Sequence, residues 1–143
     1  MAYHDRMALP LGNLHAFTDC VSYVVSVAFV VQEHCTLHHV RFVPSLATLS
    51  HNELTLQLPR YRHLAELPGA LGWEGGTMLC PTDPRSIEFV ADLYREFLPL
   101  FEADDVNVCC DEPWELGKGR SKPEVETRGA GRVYVDVLPK VHA

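Results

Sequence analysis

The stretch DPRSIEFVADLYREFLP, residues 83–99, sets the strongest local constraint on what this chain can fold into. Thr82 or Asp83 stands where a helix N-cap belongs, and Pro84 suits the first turn. Ile87, Val90, Leu93, Tyr94 and Phe97 recur at the spacing of one helix face, and Pro99 ends the run. Val106, Val108, Cys109 and Cys110 follow as a short apolar run that suits a strand buried on both faces. Upstream, HHVRFVPSL at 38–46 reads as a second strand ending near Pro44. A loop with Ser50, His51 and Asn52 comes next, then LPRYRHLAELPG, a short helix closed by Pro68 and Gly69. Residues 68–82 form a Gly/Pro-rich connection containing Trp73. The order strand, loop, helix, strand predicts an α/β fold, with parallel strands alternating with helices that cover them.

Two further segments complete the pass. Ser121-Lys122-Pro123-Glu124 matches a capping box with proline in the first turn. The helix it starts is interrupted by Gly129 and Gly131, then resumed or replaced by RVYVDVLPKVH. Near the start, VSYVVSVAFVV at 21–31 is either a strand or a buried helix, since so short an apolar run has no decisive period. Its eleven residues fall well short of the roughly 20 that span a bilayer. Asp5 and Asp19 precede it, so it lacks a basic leader region.

Composition narrows the function classes. With 143 residues, 47% of them hydrophobic and 22% charged, the chain can bury one ordinary core. A formal net charge of −7 argues against a phosphate footprint, because Lys118, Arg120 and Lys122 are the only basic cluster and acids flank them. That cluster reads as a solvated loop, and no nucleic-acid partner is expected. The five cysteines (Cys20, Cys35, Cys80, Cys109, Cys110) are odd in number with no C-x-x-C pair, which fits free thiols in a reducing, cytoplasmic setting. Cys109 and Cys110 read as core residues of the strand. No membrane partner is expected.

The candidate chemistry lies at Asp111 and Glu112, two adjacent carboxylates placed where the 105–110 strand ends and a Pro/Gly loop begins. Two readings stand side by side: solvated loop carboxylates around Pro113, or the working end of a site. Sites on parallel α/β sheets gather at the carboxyl ends of strands, and both His51 and the acid pair fall after strand ends. Glycoside cleavage needs a carboxylic acid at the leaving oxygen and a carboxylate near the developing positive charge. Neighbouring like charges and burial separate the two roles. Trp114, like Trp73, reads as hydrophobic cover, with stacking on a sugar face as the alternative. His34, Cys35, His38 and His39 resemble a metal cluster only superficially. A pair four residues apart converges on a helix, and this run heads into a strand. No metal and no cofactor are expected.

The words around the acid pair sharpen this reading. DPRSIEFVADLYREFLPLF, NVCCDEPWELGKGRSK and RGAGRVYVDVL, with HHVRFVPSLATLSH and LPRYRHLAE upstream, resemble bacterial β-N-acetylhexosaminidases of glycoside hydrolase family 20. The likeness covers residues 36–142 in several blocks. It implies a partial (β/α)8 barrel, with strands three and four and their loops at 36–143, and a divergent segment at 1–35. It implies hydrolysis of terminal N-acetyl-hexosamine residues with retention, in which the sugar's own 2-acetamido oxygen attacks the anomeric carbon. Glu112 matches the general acid/base, Asp111 the carboxylate that orients the acetamido group, and His51 a histidine near the acid. Trp114 is then a substrate-binding candidate, and the partner is an amino-sugar glycoside. Eight barrel units need about 250 residues, so a catalytically silent fragment that self-associates through exposed sheet edges is the alternative expectation. A metal-dependent hydrolase using the histidine cluster is a minor one.

Overall fold

The computed structural model describes residues 18–142, with side chains described over 27–140. The first 17 residues of the segment read as divergent lie outside the described residues. The chain forms two compact units, one ending at Pro44 and including Asp92–Asp105, the other made of Ser45–Ala91 and Val106–Ala143.

In the first unit, helix α1 (Thr18–Leu37) settles the open reading of 21–31 in favour of a helix. Its sequence is apolar on nearly every side, yet Val30 and Leu37 are exposed. Gln32 Oε1 accepts the Glu102 N–H at 2.9 Å, and Phe101 stacks obliquely between Phe42 and Phe97 at 5.6 and 4.7 Å. No helix among the described residues is long and apolar enough to cross a membrane.

The second unit carries α2 (Glu53–Gln57), the start of α3 (Pro84–Phe97), α4 (Lys122–Arg128), α5 (Ala130–Val135) and α6 (Leu138–His142). Helix α3 has the bounds and the buried stripe that its sequence dictates, with Val90 and Tyr94 buried and Ile87 and Leu93 half-buried. Helix α4 starts after Ser121 and stops at Gly129, where φ is +82°. The chain then resumes as α5 and α6, and does not turn into a strand.

The α/β expectation fails, and with it the partial (β/α)8 barrel: among the described residues there is no β-strand. What remains of the sheet is two isolated bridges, Ser45 with Asn107 in parallel and Ala65 with Leu79 antiparallel. Within the second unit Ser45–Leu46 does lie beside Asn107, with Leu46 N–H on Asn107 O at 3.1 Å, but the pairing stops after one bridge. Pro44 has no N–H to donate, and Cys109 turns the backbone to a φ of +42°, where a ladder cannot continue. Two strands with no third neighbour also gain too little to persist as a sheet. The segment 58–69 forms only a short 3₁₀ turn at Arg62–Leu64. Self-association through sheet edges therefore has no sheet edge to use among these residues.

Single backbone contacts and buried carboxyl groups hold the unit together instead. Leu79 N–H bonds Leu49 O at 2.8 Å, Asn52 N–H bonds Thr77 O at 2.9 Å, and Glu66 N–H bonds Met78 O at 2.8 Å. The segment 77–80 is thus the middle of three extended pieces. Leu49, Met78 and Val137 close the core beneath them, with Ile87, Leu116 and Tyr134 packed around. Glu66 is fully buried, and its carboxyl group accepts from Gly119 N–H (3.1 Å), Ser121 N–H (3.0 Å) and Ser121 Oγ (2.7 Å). Ser121 begins α4 as its capping position requires, but its hydroxyl serves Glu66 rather than the helix end. Gly119 passes so close that an added Cβ would stand 2.0 Å from Glu66 O.

The basic residues of the 118–122 loop, Lys118, Arg120 and Lys122, are exposed as expected, yet one of them also ties the loop to its neighbours. Arg120 donates to Asp83 Oδ2, to His63 O (2.8 Å) and to Ala65 O (3.3 Å). Asp83 also accepts Arg85 Nε at 3.0 Å and Nη2 at 2.8 Å. Hydrogen bonding to Arg85, helped by Arg120 and opposed by burial, holds the Asp83 carboxyl well below the usual carboxylate range. A carboxylate of lowered pKa stabilises the fold above the unfolded value of about 3.9, and that contribution is lost as pH falls.

Two outcomes follow for stability. Gly119→Ala should lower the unfolding free energy by about 3 kcal/mol, whereas Gly131→Ala, with open space around it in α5, should raise it by about 0.5–1 kcal/mol; urea denaturation reads both. Between pH 5 and pH 3 the urea midpoint should drop in the wild type, and drop less in Asp83→Asn.

Candidate functional site

Two turns of the second unit carry the candidate site. The first, Ser50–Asn52, ends the segment that pairs with 77–79, and His51 at its tip has a φ of +58°. Asn52 closes the turn, donating through Nδ2 to Ser50 O at 2.9 Å. The second turn follows the 106–110 run, where Glu112 has a φ of +49° and its carbonyl accepts Trp114 N–H at 2.7 Å. A left-handed backbone is costly for residues with a Cβ, by about 1–2 kcal/mol each. It persists only where the surroundings over-determine it, and such residues cluster at sites.

These turns place His51 Nε2 at 3.5 Å from Glu112 Oε2 and 3.9 Å from Asp111 Oδ2. Both separations exceed a hydrogen bond and suit an ion pair when the imidazole is protonated. The three side chains are 47%, 52% and 65% exposed for His51, Glu112 and Asp111, so the cluster is open to solvent. Three of the four residues singled out in the sequence are thus brought together. Trp114 sits two positions beyond Glu112 with its side chain 61% exposed, so it covers no core. Trp73 is exposed as well.

Several residues that the sequence did not flag fix these turns. Tyr134 Oη donates to Cys110 O at 2.6 Å, one residue before the acid pair. Burial, then the Cys110 thiol and the Asp111 charge, push the Tyr134 phenol up. Thr48 Oγ1 donates to Val108 O at 2.5 Å and lies 3.0 Å from Cys110 Sγ, while Ser45 Oγ lies 2.7 Å from Cys109 Sγ. The cysteine pair is therefore packed against hydroxyls, with Cys110 in the core. Buried Glu115 accepts both Thr77 N–H (2.9 Å) and Thr77 Oγ1 (2.6 Å), and Thr77 O in turn holds Asn52 N–H. Glu115 so ties the acid turn to the histidine turn through one intermediary. The sequence signal for this was slight: a Glu three positions after Glu112 in a loop.

Among the described residues no group of three or more His, Cys, Asp or Glu side chains is arranged to hold a metal ion. Cys80 is a buried core thiol, pushed up by burial, which outweighs the opposing Thr82 contacts and is aided by Glu66, and this makes it a poor nucleophile. No protein-family model, curated protein or solved structure matches the chain, so the family-20 glycosidase likeness has no support outside the sequence words that carry it.

The tie through Thr77 is open to test. Glu115→Ala strips the acceptor from two donors and should cost about 2 kcal/mol of stability. In the wild type the His51 ring signals in a ¹H–¹³C spectrum should move when Glu112 is replaced by Gln. In a Glu115→Ala background that response should shrink.

Proposed function

We propose that His51, Asp111 and Glu112 form an acid–base centre that cleaves the glycosidic bond of terminal N-acetyl-hexosamine residues. One observation carries the reading: residues 60 and 61 positions apart in sequence meet within 3.9 Å, on two turns held in left-handed backbone. The resemblance of the surrounding words gives each a role. Glu112 protonates the leaving oxygen while the 2-acetamido oxygen attacks the anomeric carbon and the C1–O bond breaks. Asp111 orients the acetamido group and balances the charge that develops on it. Water then attacks the same carbon while the Glu112 carboxylate removes its proton, the bond from that carbon to the acetamido oxygen breaks, and the carboxylic acid is regenerated. His51, 3.5 Å from Glu112, supplies a positive charge beside the carboxylate when the imidazole is protonated. Trp114 offers an exposed aromatic face beside the pair for a sugar ring.

Hydrolysis of a chromogenic β-N-acetylglucosaminide by the purified chain tests this. Glu112→Gln should reduce turnover by about a hundredfold or more without changing the unfolding midpoint. Asp111→Asn should lose turnover on the acetamido substrate, and a 2-hydroxy analogue, which lacks the attacking oxygen, should not be cleaved by the wild type. Equal turnover in wild type and Glu112→Gln overturns the assignment.

A further inference from the structure

The histidines at the end of α1 have a geometry that their sequence context concealed. A pair four residues apart converges only on a helix, and the run was expected to leave helical structure before His38. Helix α1 does end at Leu37, but the turn after it keeps the spacing: His38 N–H donates to His34 O at 3.1 Å and Cys35 O at 3.2 Å, so the two residues stand one turn apart. Their rings lie with centroids 4.4 Å apart and planes inclined by 51°, and both residues are exposed.

The turn that carries them is fixed. His39 adopts a φ of +54°, its N–H bonds Thr36 O at 3.1 Å, and Val40 N–H bonds Cys35 O at 2.8 Å. Those two bonds make a Schellman closure, which locks the last helical turn and the residue after it. The helix C-terminus also concentrates partial negative charge, which favours a cation there.

We propose that His34 and His38 form a two-point chelate for a divalent transition-metal ion of borderline softness, such as Zn²⁺. Imidazole nitrogens are the common protein donors for such ions. A two-point chelate needs one nitrogen of each ring at the metal–nitrogen distance of about 2.0–2.1 Å, with water in the remaining positions. Because the Schellman closure holds the backbone, little ordering is left to offset binding. The site belongs to the first unit and is independent of the acid–base centre.

Zn²⁺ titrated into the full chain tests this, followed by the ring ¹H–¹³C signals of His34 and His38 and by calorimetry. Both rings should shift together and saturate. His38→Gln should weaken binding about tenfold or more, an effect of at least 1.4 kcal/mol. Saturating Zn²⁺ should raise the thermal midpoint of the wild type and leave the His34→Gln/His38→Gln variant unchanged. Both residues are exposed, so circular dichroism should show the same helix content in all variants. No saturation by about 1 mM Zn²⁺, a Kd limit near −4 kcal/mol, overturns the proposal. So does equal affinity in the double variant.

Discussion

The second unit depends on one buried carboxyl group. Glu66 sits fully inside, and the loop 119–121 wraps it with two backbone N–H groups and a hydroxyl. An acid in an apolar interior is costly unless donors surround it. Here the donors come from 53 and 55 positions away, so satisfying Glu66 forces the 64–66 segment and the 117–122 loop together. Arg120 adds its own links, to Asp83 and to the carbonyls of His63 and Ala65. Loops, which rarely specify a fold, are specified here because they supply hydrogen bonds to buried carboxyl groups.

The same principle positions the acid pair. With only isolated bridges in place of a sheet, no ladder fixes the height of the 106–110 segment. Thr48, Tyr134 and the Asn107 side chain do so, each bonding backbone in that run. On the other side, Glu115 fixes Thr77 and Thr77 fixes Asn52. His51 and Glu112 therefore occupy strained backbone that their neighbours over-determine. The stability supplied by buried polar bonds holds a local arrangement that is unfavourable by itself.

Parts of this were legible from sequence and parts were not, for identifiable reasons. Helix α3 was legible because its proline bounds and apolar stripe agree with one another and with its burial. The start of α4 was legible at Ser121-Lys122-Pro123, though not the use Glu66 makes of the Ser121 hydroxyl. The strands failed because apolar runs report burial, not ladder formation. Pro44 and the left-handed Cys109 end the pairing after one bridge. The sequence singled out His51, Asp111 and Glu112, and the fold brings these three side chains near one another. The roles of Glu66, Asp83 and Glu115 were not legible, since an acidic residue in a loop carries no mark of burial until its distant donor is known.

Native-state hydrogen exchange measures the central claim most directly, at the amides of Gly119 and Ser121, which donate to Glu66, and at Asn52 and Thr77, which join the two turns. All four should exchange only with global unfolding, at the protection of the core amide Leu79, and lose that protection together in Glu66→Ala. Rapid exchange at Gly119 and Ser121 with Leu79 still protected would contradict it, because the loop would then lie on the unit without holding it together.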